Sequence, residues 1–136
     1  MEILLKAVYL KVAGSRSNHR HDYRKLWADI PEAVRNRIVA HAHHRFGPHA
    51  DLTDLDTKLD ALRQVFKGGR YSYEVNFGRA TEEVRQAGDK WIASGAKPVD
   101  AEFAYYPETR AALIHGAQRV LEEELGRKMN DRPEIL

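Results

Sequence analysis

The chain has 136 residues, 43% hydrophobic and 31% charged, with a net charge of +2 and no cysteine. That length is one domain's worth, burying about two-thirds of the surface its unfolded chain exposes, and the composition argues against wholesale disorder. The lack of cysteine excludes disulfides, thiolate metal sites and thiol catalysis, and without an 18-residue apolar run no membrane span is expected.

The first element predicted is a helix over Glu2–Ala13. Leu4, Leu5, Val8 and Val12 fall at helical spacing, and Gly14 can end the helix. Glu2, Lys6 and Lys11 interrupt this apolar stretch, which argues against a signal peptide and makes the cytoplasm the expected location. A polar turn, Gly14–Asn18, leads into His19-Arg20-His21-Asp22. Asp22 is placed to cap a short helix over 22–30, with Leu26, Trp27 and Ile30 as its apolar side. Pro31 suits the first turn of a third helix, which runs to about Phe46. Val34, Ile38, His41 and Arg45 form its stripe, with Ala42 beside it, and Gly47-Pro48 stops it.

A fourth helix is predicted over about 54–67, with Leu55, Leu59, Leu62 and Phe66 inward and Gly68-Gly69 as its stop. Arg70–Val75 reads either as a short extended segment or as a loop that packs its tyrosines. Thr81–Ala93 is helical, with Val84, Ala87, Trp91 and Ile92 for packing. Asp100–Tyr106 either extends that helix or forms a loop. The last helix is predicted over 107–127, with Leu113, Ala117, Val120, Leu121 and Leu125 as its core stripe. The polar tail 128–136 is expected to fray. No internal repeat or low-complexity tract is present.

Three of these stretches carry a family resemblance. "EILLKAVYLKVAG" followed by a polar turn, then "HDYRKLWADIPEAV", and later "GGRYSYE" resemble the HEPN superfamily, the higher eukaryotes and prokaryotes nucleotide-binding domains. The matching positions are Glu2 and Lys6 on the first helix, then His21 and Asp22, with Tyr23 standing where the family has leucine. The resemblance covers roughly residues 2–75 and, more weakly, the last helix. The family has a further helix before the one that opens this chain. The fold expected is therefore all-α, an antiparallel bundle of about five helices over residues 1–127, with that helix missing. A bundle of this kind would leave Leu4, Leu5, Val8 and Val12 partly uncovered, for burial in a homodimer or under a partner protein.

The resemblance implies an RNA- or nucleotide-interacting protein of a defence or stress system, of the toxin–antitoxin kind. Many members cut RNA without metal or cofactor through an arginine and a histidine four to six residues apart, with two sites meeting across a dimer. The histidine moves protons near neutral pH, and the arginine steadies charge on the phosphorane-like state. Two stretches match. Arg35, Asn36 and His41 fit the letters better, and Arg110 with His115 fits the usual position late in the bundle. On a helix, the members of each pair lie roughly 120–140° apart, whereas Arg37 aligns better with His41 or His44.

Charge points the same way. Residues 1–49 hold nine Lys/Arg against four Asp/Glu and six of the seven histidines, while the remainder holds thirteen against sixteen. An acidic partner for the first half, or complementary packing of the two halves, follows from that asymmetry. Arg20, Arg24 and Arg37 are the phosphate-binding candidates there. Arg70, Tyr71 and Tyr73 are the stacking candidates, or else a buried tyrosine pair beside an Arg–Glu hydrogen bond. His41 and His44, with His49 or Asp51, have spacing a metal could use, or form a polar helix end that suits the dipole. No phosphate-binding glycine loop or serine-nucleophile turn occurs. The rival to catalysis is a non-catalytic helical interaction module in which the Arg/His spacings are incidental.

Overall fold

The structure, a computed structural model, describes residues 1–19, 21–70, 78–97 and 106–128, with backbone only over 65–70. The protein is all-α. The described residues form six α-helices and no strand: α1 (Glu2–Ala13), α2 (Tyr23–Asp29), α3 (Glu32–Phe46), α4 (Leu55–Arg70), α5 (Thr81–Ala93) and α6 (Pro107–Leu125), with a 3-10 turn at Gly47–His49. Two compact units result. One is Met1–Leu55 together with the chain from Pro107 on; the other is Asp56–Tyr106.

Local chemistry sets most helix ends. Gly14 adopts the left-handed conformation (φ 71°) and donates its N–H to Leu10 O, which closes α1. Asp22 Oδ1 accepts the Lys25 N–H at 3.1 Å, the cap that starts α2. Pro31 stands just outside α3, its carbonyl accepting from Val34 and Arg35. Gly126 (φ 65°) ends α6. Gly68-Gly69 does not stop α4, which continues to Arg70. Glycine in a helix costs only about 1 kcal/mol relative to alanine, and nothing steric forces a break.

The core of the first unit lies between α1, α2, α3 and α6. Leu5, Val8, Leu26, Ile30, Ile38, Leu113, Ala117 and Val120 are buried. Helices α3 and α6 run antiparallel: Ala42 and Phe46 of α3 cluster with Ala112, while Ile38 meets Gly116 and Arg37 meets Glu123 and Glu124. A Cβ on Gly116 would stand 2.2 Å from the Ile38 carbonyl oxygen, so the two backbones touch at this point.

The apolar side of α1 differs from expectation. Of the four residues expected to be partly uncovered, Leu4 and Val12 are half-buried, whereas Leu5 and Val8 are buried within the unit; the exposed large hydrophobic residues of α1 are Ile3 (82% exposed) and Leu10 (45%). Leu125, expected in the core, is partly exposed. In the second unit Leu59 and Leu62 are buried, but no described residue of α5 is, and Ile92 is 66% exposed. Trp91 of α5 instead donates its indole N–H to Lys97 O at 2.8 Å. The expected segment after Arg70, most of 100–106 and the tail beyond Lys128 lie outside the described residues.

Candidate functional site

Helices α3 and α6 bring two stripes of polar side chains together. On α3, Arg37, His41 and Arg45 recur every four residues and therefore share a face. On α6, His115, Arg119, Glu122 and Glu123 do the same. Because the helices are antiparallel, the stripes read as a ladder. Arg37 Nη1 donates to Glu124 Oε1 and Nη2 to Glu123 Oε2, both at 2.6 Å. His41 Nε2 lies 2.7 Å from Glu123 Oε1. Glu123 thus bridges Arg37 and His41. At the other end, His115 meets Phe46 edge-on with centroids 6.2 Å apart, and the Arg45 guanidinium stands 6.0 Å from the Phe46 ring centre. Arg119 Nη1 donates to Glu122 Oε2 at 2.8 Å.

The electrostatics follow the pairing. The hydrogen bond from Arg37 holds the Glu123 carboxyl below its ordinary value, burial opposing and His41 assisting. Hydrogen bonds to Glu124 and Glu123 raise Arg37 in turn. Burial first, then the charges of Arg119, Arg45 and His41, push the His115 imidazole below its ordinary 6.5, with Glu122 opposing. Its neutral form is the favoured one near pH 7, as a proton acceptor requires.

The contacts of the two foreseen histidines lie across the helix pair: His41 meets Glu123, His115 meets Phe46, and the charge of His41 reaches His115. Arg35 does not share the ladder: its Nε is buried with no hydrogen-bond partner among the described residues, while His41 takes Glu123. Arg110 stands at the other end of α6 from the ladder's glutamates, within electrostatic reach of Glu2's neighbour Tyr23. His115, by contrast, faces α3. Asn36 and Arg24 are exposed. Arg20, Tyr71 and Tyr73 lie outside the described residues, as does the Arg70 side chain. His43, His44 and His49 are exposed, and no three His, Asp or Glu side chains among the described residues are arranged to hold a metal ion. Spacing within one helix could not reveal Glu123 as a neighbour of His41, or Phe46 as a neighbour of His115. The acidic run Glu122–Glu124, opposite in sign to the α3 stripe, is the signal that could have pointed to the first of these.

A second polar cluster ties the first turn to α1. His21, in the left-handed region at φ 56°, donates from Nδ1 to Glu2 Oε2 at 2.7 Å, and Lys6 donates to Glu2 Oε1 at 2.5 Å. Burial alone would raise the Glu2 carboxyl; the hydrogen bonds from Lys6 and His21 outweigh it and hold the group below its ordinary 4.5. His19 Nε2 meets Asp29 Oδ2 at 2.6 Å, pinning the loop to the end of α2. The residues that carry the family resemblance, Glu2, Lys6 and His21, thus contact one another as a structural tie.

Comparison with protein-family models, with curated proteins and with solved structures returned no match.

Proposed function

We propose that this is a HEPN-like protein that acts on RNA or a nucleotide in a defence or stress system, through metal-independent phosphoryl transfer at the α3–α6 ladder. The observation that carries the reading is that His115 of α6 lies within electrostatic reach of His41 and Arg45 of α3 and of Arg119, at the seam where His41 meets Glu123 and His115 meets Phe46. Metal-free cleavage of RNA needs a group to take the 2′-hydroxyl proton, a group to return one to the leaving oxygen, and a cation for the phosphorane charge. His115, favoured neutral, is assigned the first task. His41 is assigned the second, and Arg45 the third. No carboxylate among the described residues pairs with Arg45, which leaves it for phosphate. Arg37, held by two glutamates, is assigned to positioning His41 through Glu123.

A second reading has its own support. The three arginines of the ladder, Arg37, Arg45 and Arg119, are balanced by three glutamates, Glu122, Glu123 and Glu124. With its histidines neutral, the ladder is then a helix–helix clamp of no net charge. It would suit a non-catalytic interaction module.

The test is incubation of the full chain with end-labelled single-stranded RNA in excess chelator. The nuclease reading expects cleavage that falls by at least about a hundredfold in His115→Ala, with helicity and unfolding temperature preserved. Arg45→Ala should weaken RNA binding and reduce the salt slope by about one. RNA that is bound but left intact removes the nuclease assignment. RNA neither bound nor cut leaves the clamp.

A further inference from the structure

Helix α1 is apolar on two opposite sides. Leu5, Val8 and Val12 cluster near one direction of the helical wheel, and Leu5 and Val8 are buried in the core. Ile3, Ala7 and Leu10 recur at i, i+4 and i+7 on the opposite side, where Ile3 is 82% and Leu10 45% exposed. Nothing among the described residues covers this second stripe.

The stripe has a shape and a charge. Ala7 and Leu10, with Lys6, Arg16 and Ser17, line a groove of about 250 Å³ beside it. Lys6 and Lys11 flank the stripe on either side of the helix, and Arg16 closes the groove from the following turn. Lys6 is partly neutralised by Glu2. Lys11 and Arg16 are exposed and have no carboxylate partner among the described residues. The surface is therefore a concave apolar strip with a basic rim.

We propose that the outward face of α1 docks an acidic, amphipathic helical segment of a partner protein. The basic rim selects acidic residues by charge complementarity. The groove at Ala7 takes a projecting apolar side chain, as an alanine between two larger residues leaves room for one. Ile3 and Leu10 stand about 10 Å apart along α1, so a helical segment laid along this face meets both with its residues i and i+7. A lipid surface has no side chain to seat in a concavity, which argues against a membrane as the occupant.

The inference is independent of the RNA reading, and its test separates the two. A displayed library of random 14-residue peptides is selected against the full chain, and the selected pool is retested on Leu10→Glu and Ile3→Glu variants. Both positions are exposed, so the variants should fold, as circular dichroism would check. Selected sequences should carry Leu, Ile or Phe at i, i+4 and i+7 flanked by Asp or Glu. Their binding should fall at least tenfold in either variant and in Arg16→Gln, while RNA cleavage is unchanged. No enrichment, basic or neutral consensus sequences, or equal binding to the variants overturns the proposal. So does binding of α1 to phosphatidylglycerol vesicles in place of peptide. So, too, does a dimer in sedimentation that Leu10→Glu converts to monomer, since a second copy would then be the occupant.

Discussion

Gly116 of α6 rests directly on the backbone of Ile38 in α3, close enough that a single added methyl carbon would stand 2.2 Å from the Ile38 carbonyl oxygen. The ladder of ionisable groups depends on this approach. Ala42 and Ala112 line the same seam with small side chains, so the helices sit close and their flanking stripes interlock.

Replacing Gly116 with alanine should therefore destabilise the protein although alanine is the better helix former. The intrinsic gain is about 1 kcal/mol. The clash is with backbone, which cannot rotate away, and overpacking of this kind costs typically 1–3 kcal/mol and sometimes more. A net loss of about 1 kcal/mol or more is expected in urea or thermal unfolding. An unchanged or raised stability would show that the helices do not touch there.

The tie between Glu2, Lys6 and His21 makes a pH-dependent contribution. The Glu2 carboxyl is held below 4.5 in the folded protein, so its stabilisation is present above that value and is lost as pH falls through the folded pKa. Glu2→Gln should cost about 1.5 kcal/mol at pH 7, the lower end of the net worth of hydrogen bonds to a charged group. Near pH 2 the variant and the parent should converge. Stability measured at both pH values checks this, and a constant gap between them would mean that the charge of Glu2 does not matter.

His115 carries a dependence of the same sign, in a higher pH window. Its folded pKa lies below 6.5, so the unfolded chain binds the proton more tightly. Its contribution to stability is complete above 6.5 and declines as pH falls from 6.5 towards the folded pKa. A titration of the imidazole carbon-bound proton by NMR should give a midpoint below 6.5. Removing the Arg45 charge, as Arg45→Gln, should move that midpoint upward. Added inorganic phosphate should do the same if the ladder binds anions. A midpoint at or above 6.5 in the parent would place His115 outside the influence of the arginines.

The sequence by itself determined the helices and their ends, because these depend on neighbours in the chain. Apolar residues recurring three and four apart set α1, α3 and α6. Gly14 stopped α1 and Asp22 capped α2 through hydrogen bonds spanning three or four residues. Gly68-Gly69 misled, since glycine weakens a helix without blocking it, and α4 runs through. The tertiary structure decided which side chains meet. The Arg35/His41 and Arg110/His115 spacings described one helix at a time, whereas the contacts of His41 and His115 lie across the α3–α6 seam. That seam exists because glycine and alanine let two backbones approach. Likewise α1 displayed apolar residues all round, and only docking onto α2 and α6 decided that Leu5 and Val8 face inward while Ile3 and Leu10 remain outside.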